Sequence, residues 1–164
     1  MKRPSVGWVL FAALCQGAKL SPAVAQSQAA PPSRSYIEHQ VPPGSAPLPF
    51  SDAVLVGDTL QVAGHLGIDP LTGKAVTDPA AEARAVLDAV KHTVEAAGLK
   101  MDDLVSVTVY CTDLALYDTF NTAYRGYFTG HYPARAFLGV AQLLRGAHFE
   151  VSAVAVKPAP PASR

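Results

Sequence analysis

Arg135 is the side chain in this sequence most suited to chemistry. It closes the stretch Phe128-Thr129-Gly130-His131-Tyr132-Pro133-Ala134-Arg135, where a helical pattern gives way to a β-type run. A guanidinium is permanently charged and offers a planar fork of donors, so inside an apolar run it needs an anion. Glu150, on the next β-type run, is the following acid in the chain. Two anions are open: a structural carboxylate such as Glu150, or the carboxylate of a small bound molecule. The other reactive types gather poorly. His39, His92, His131 and His148 are scattered, and His148 with Glu150 on one strand face makes only two groups of a metal site. Phosphate-binding glycine loops, Gly-x-Ser-x-Gly elbows and Cys-x-x-Cys pairs are missing from the sequence. No metal and no cofactor are expected.

The elements that must position these side chains follow from periodicity. Val54-Leu55-Val56 and Leu60-Gln61-Val62-Ala63 flank Gly57-Asp58, a hairpin signal, and Asp69-Pro70-Leu71-Thr72-Gly73 is a turn. Asp78-Pro79 opens a helix with Asp as N-cap and Pro in the first turn, and Gly98 ends it. Ala83, Leu87, Val90, Val94 and Ala97 form its apolar stripe, with Arg84, Asp88, Lys91 and Glu95 away from it. Leu104 to Cys111 alternates as a half-buried strand, with Val105, Val107, Val109 and Cys111 on one face. Cys111 there reads as a small core residue rather than a nucleophile. Thr112 or Asp113 caps a second helix, striped by Leu116, Phe120, Ala123 and Tyr127 and ended by Gly130. Tyr124, Tyr127 and Phe128 read as packing residues. Arg135–Val140 and His148–Val156 are the last strands. The order hairpin, helix, strand, helix, strand, strand predicts an α+β mixed sheet with both helices on one face. The other face then needs cover from a second subunit.

Composition bounds the rest. With 164 residues and 49% apolar content, one domain has enough core to fold unaided. Lys2 and Arg3, the apolar run Val6 to Leu14, and Ala23-Val24-Ala25 read as a cleaved export signal over 1–25, placing the protein in the periplasm. Beyond it, ten basic residues face thirteen acidic ones with no basic cluster, which argues against nucleic-acid binding. The apolar run is too short to span a membrane, so no membrane association is expected after cleavage. Residues 26–49 form a flexible leader with one short strand at Tyr36–Val41, 50–156 form the folded domain, and 157–164 form a tail.

Several segments together resemble the RidA (YjgF-type) imine deaminase family over Phe50 to Val156. They are Val62-Ala63-Gly64-His65, Asp69-Pro70-Leu71-Thr72-Gly73, Val94-Glu95-Ala96-Ala97-Gly98-Leu99, Asp113-Leu114 with Phe120-Asn121-Tyr124-Phe128, Tyr132-Pro133-Ala134-Arg135, and Glu150 to Val156. The resemblance implies a chorismate-mutase-like fold, a homotrimer whose sheets form a central barrel, and cofactor-free hydrolysis of 2-imino acids in clefts between subunits. It puts Arg135 on the substrate carboxylate and Glu150 on the water, with Phe50, Ala63, Gly64, His65, Asn121 and Phe137 shaping the cleft. Four of these depart from the family pattern: Phe50 stands where a Tyr is usual, Ala63 for Ser, His65 for Gln and Phe137 for Cys. Arg135 and Glu150 match. The resemblance therefore leaves two further readings beside catalysis: a non-catalytic binder of small 2-keto or 2-imino carboxylates, and a stress-protective, chaperone-like protein.

Overall fold

A computed structural model describes residues 32–41, 44 and 46–159. Residues 1–25, read above as an export signal, lie outside the described residues. Six strands build one sheet: β1 (Arg34–Ile37), β2 (Ala53–Val56), β3 (Thr59–Leu66), β4 (Leu104–Cys111), β5 (Ala134–Gly139) and β6 (Phe149–Val156). Their order is β1-β2-β3-β6-β4-β5. Neighbours pair antiparallel except β4 and β5, which run parallel. A parallel pair needs a crossover, and helix α2 (Tyr117–Tyr124) supplies it. Helix α1 (Pro79–Ala96) links β3 to β4.

Helix α1 starts and stops as its sequence dictates. Asp78 Oδ2 accepts the N–H of Ala81 at 2.8 Å, with Pro79 in the first turn. Gly98, at φ +78°, turns the chain so that the N–H of Leu99 reaches the carbonyl of Val94. Val86 and Thr93 join the expected stripe on the buried face. So does Glu82, which sequence periodicity did not mark.

The core lies between the helices and one sheet face. Phe149, Val151, Ala153 and Ala155 of β6 are buried, as are Val107, Val109 and Cys111 of β4. Phe120 of α2 packs against Phe149 with ring centroids 5.1 Å apart. Each fully buried side chain of this size contributes about 1.5–3 kcal/mol. On the opposite face, Thr108, Tyr110, Glu150, Ser152 and Val154 stay half-exposed, since no described element covers them.

Three expectations are corrected. The leader strand is Arg34–Ile37 rather than 36–41, and it pairs with β2 as the sheet's edge. Val105 turns outward at 48% exposure, because the β4–β6 register slips between Leu104 and Ser106 and a slip of one residue inverts a strand's faces. The second helix ends at Tyr124 and tightens to a 3₁₀ turn over Arg125–Tyr127, well before Gly130. The expected cap Asp113 serves instead a 3₁₀ turn over Leu114–Leu116 that leads into α2, its carboxylate accepting the N–H of Ala115 at 2.9 Å, and α2 itself starts without a side-chain cap.

Candidate functional site

Arg135 follows Pro133 and opens β5, directly opposite Val107 on parallel β4. Val107 is 2% exposed and faces the helices, so Arg135 faces them too, at the uncovered edge of the sheet. There Nη2 donates to Oδ1 of Asn121 at 2.7 Å. The guanidinium carbon lies 4.6 Å from the ring centre of Tyr124, 5.7 Å from that of Tyr117 and 5.8 Å from that of Phe137. These contacts hold a cation without cancelling its charge. Among the described residues Arg135 makes no ion pair. A structural carboxylate is therefore not its partner here.

A cavity of about 260 Å³ opens beside it, walled by Tyr117, Asn121, Tyr124, Arg125, Tyr132 and Pro133 together with Arg135. Phe137 packs edge-on against Tyr117 and Phe120 and backs the guanidinium rather than lining the cavity. Tyr124 is more than a packing residue. Its hydroxyl is buried without a hydrogen-bond partner among the described residues. Burial pushes its phenol up to about 12, against the downward pull of the Arg135 charge. It stays a neutral donor. Residues 117, 121 and 124 recur at helical spacing, and a polar Asn inside an aromatic stripe is the sequence signal that marks this wall.

A larger cavity, about 540 Å³, lies between the outer surfaces of α1 and α2, where Arg84 is the only charged lining residue. The smaller cavity is the better candidate, because it holds the unpaired guanidinium.

Glu150 stands elsewhere. It lies opposite Tyr110 on β4 and Leu66 on β3, on the face away from the helices. It forms no ion pair or side-chain hydrogen bond among the described residues, and Arg145 instead donates to the carbonyl of Gly73 at 2.7 Å. Gly64 makes the room for it: a Cβ there would collide with Glu150 Oε1 and come within 3.0 Å of Cδ. The N–H of Ala63 donates to the carbonyl of Asp52 at 2.9 Å, tying the segment that carries exposed Phe50 to this part of β3.

His65 does not join that group. Strict alternation from Val62 would turn His65 to Glu150's face. A bulge intervenes: Val62 pairs with Ala153 and His65 with Val151, so one extra residue shifts the alternation. His65 faces α1, where Nε2 lies 3.2 Å from Thr93 Oγ1. Burial lowers its pKa, partly offset by the charge of Asp52. It is thus a neutral structural imidazole.

The predicted residues therefore fall into two groups. Arg135, Asn121 and Phe137 share the helix side of the β5 edge. Glu150 and Gly64, with Ala63 and the Phe50 segment nearby, occupy β3 and β6. With β4 between β6 and β5, the strands bearing Glu150 and Arg135 are about 10 Å apart, and their side chains point to opposite faces. The described residues gather no cluster of three or more His, Cys, Asp and Glu side chains able to hold a metal.

A mixed sheet with two helices on one face and an unpaired guanidinium at its parallel edge defines an α+β protein equipped to hold a small anion. The family profile described as Endoribonuclease L-PSP matches residues 42–157. The 2-iminobutanoate/2-iminopropanoate deaminase of Escherichia coli K12 is 40% identical over 112 residues, covering 66% of this chain and 88% of that protein. The human protein of the same name is 37% identical over 110 residues, with 66% and 80% covered. Among solved structures, the Escherichia coli YjgF gene product aligns with a TM-score of 0.64 at 39% identity, covering 67% of this chain and 89% of that one. Escherichia coli TdcF with bound serine aligns at 0.68 and 34% identity, with 76% and 99% covered. The chain belongs to the RidA (YjgF-type) family.

Proposed function

We propose that this protein hydrolyses 2-imino acids to 2-keto acids and ammonia, in clefts where two copies of the chain meet within a homotrimer. One observation carries the reading: a guanidinium held by a neutral Asn121 and three aromatic rings, with no anion of its own, beside a cavity. The substrate carboxylate takes the donors of Arg135 that Asn121 leaves free, as two parallel charge-assisted hydrogen bonds. The relatives named as 2-iminobutanoate and 2-iminopropanoate deaminases support a short 2-imino acid as substrate. A second chain brings Glu150 to the reacting carbon, because its own Glu150 faces away. The half-exposed sheet face supports such an assembly. Glu150 orients a water on C2 and takes its proton as the C–O bond forms. Glu150 hands that proton to the nitrogen and takes the new hydroxyl's proton, so the C=O bond forms as the C–N bond breaks and ammonia leaves. A protonated imine is already electrophilic, so positioning supplies much of the rate.

Export by residues 1–25 belongs to this proposal, and N-terminal sequencing of the mature protein tests it. In that compartment an amino-acid oxidase is the class of reaction that supplies imines. The loss of hydroxyls at Phe50 and Ala63 favours a second reading, in which the same cleft binds 2-keto carboxylates without turnover. One experiment separates them. Imine is generated in situ with an amino-acid oxidase, and what remains is trapped with semicarbazide. Hydrolysis lowers the trapped product, and Arg135→Ala lowers kcat/KM by about tenfold to a hundredfold or more. A binder leaves trapping unchanged but is stabilised thermally by 2-ketobutyrate, an effect that Arg135→Ala removes. An Arg135→Ala protein matching wild type in both assays overturns both readings.

A further inference from the structure

The cavity beside Arg135 carries a second guanidinium. Arg125, just past the last turn of α2, lines the same 260 Å³ space, and no acid does. Neither arginine makes an ion pair among the described residues, and the cavity's other polar groups are neutral: Asn121, Tyr117, Tyr124 and Tyr132. Arg135 sits inside, half-buried and clamped, while Arg125 is exposed at the rim. A short neutral 2-imino acid needs only the inner cation and leaves the outer one idle. Two uncompensated cations on one wall repel each other, and the repulsion is relieved most by a ligand bearing two anions.

We propose that Arg125 is a specificity-determining residue and that the cavity selects 2-imino acids with a second carboxylate on the side chain, the imines of acidic amino acids. The inference rests on the deaminase reading above. The 2-carboxylate is held by Arg135. The side-chain carboxylate reaches outward to Arg125. The tyrosine walls shield the inner pair at Arg135, which strengthens it, while the outer pair at the rim stays in contact with water.

The test compares imines generated in situ from glutamate and from alanine by oxidases that accept each, with semicarbazide trapping of both. The wild-type protein is expected to show the higher kcat/KM on the glutamate-derived imine. In Arg125→Ala the ratio of kcat/KM for acidic over neutral imine falls about two- to fivefold, the worth of one charge pair at an exposed rim. Arg125→Glu inverts the preference. Titration with 2-oxoglutarate and 2-ketobutyrate reads the same ratio in binding, and light scattering follows assembly. A wild-type protein that hydrolyses the alanine-derived imine in clear preference overturns the proposal while leaving the deaminase reading intact. A ratio unmoved in Arg125→Ala, or a change of assembly state in that variant, also overturns it. Inactivity on both imines, with no binding of either keto acid, removes the deaminase reading and this proposal together.

Discussion

Replacing Glu82 tests what holds the strand that carries Glu150. This carboxylate is 0% exposed, on the inner face of α1. Its Oε1 accepts from the backbone N–H of His148 at 2.6 Å and of Phe149 at 2.9 Å, the two residues leading into Glu150. Its Oε2 lies 2.6 Å from His148 Nδ1. Gly67 lets the group in, since a Cβ there would come within 2.8 Å of Glu82 Cγ. Glu82→Ala leaves two backbone donors with no acceptor where water is excluded, at about 1–3 kcal/mol each. The His148 ring loses a partner too, but at 35% exposure it can turn to water, so the expected loss is about 2–6 kcal/mol. Glu82→Gln keeps Oε1 as acceptor for both N–H groups, and its amide donates to His148 Nδ1 in the tautomer protonated at Nε2. That variant should lose only about 1 kcal/mol. Urea unfolding at neutral pH, analysed at constant slope, reads both. A Glu82→Ala loss below about 1 kcal/mol refutes the clamp. Equal losses in the two variants refute the claim that geometry, rather than charge, carries it.

Gly64→Ala drives a methyl group into Glu150 Oε1. The trapping assay should lose about a hundredfold or more, the scale of a lost general base, while the urea midpoint of this exposed position barely moves. Tyr124→Phe removes a buried hydroxyl that has no partner. The unliganded protein should hold its stability or gain about 1 kcal/mol in urea unfolding. The same variant tests alkaline behaviour. The folded phenol, raised from the ordinary 10 to about 12, ionises after the unfolded one, so stability falls as pH rises through that interval. Melting temperatures of Tyr124→Phe should fall less steeply there. On the acid side, burial depresses the pKa of His65 below 6.5. The unfolded chain binds the proton first, so stability present above pH 6.5 is lost as pH falls, and His65→Gln should flatten melting temperatures between pH 7 and 5.

Periodicity made most of the fold legible. The α1 stripe, its Asp78 cap and the alternation of β6 are local consequences of residue type, and they appear in the structure as read. What sequence could not give depends on partners far along the chain. The bulge that turns His65 inward is set by pairing with β6; a glycine inside the strand, Gly64, hints at a bulge but not at the side to which His65 turns. Glu82 reads as a surface helix acid until strand β6 brings two N–H groups against it. Tyr124 reads as core because it is core, and its second role appears only when Arg135 arrives from β5. Arg135 and Glu150 were legible as chemical groups. That they face opposite sides of the sheet was not, because facing on a strand depends on register.

That opposition has a genetic corollary. If the pair acts on one molecule, each working cleft is a joint product of two polypeptides, so defects in the two groups are separable. Chains bearing Arg135→Ala and chains bearing Glu150→Gln, each inert alone, should complement when unfolded together and reassembled. A chain damaged in one group spoils only the seam to which it brings that group, so in a merodiploid cell output should fall in step with the share of healthy copies, whereas an allele damaged in both groups spoils two seams per copy and depresses its healthy neighbour.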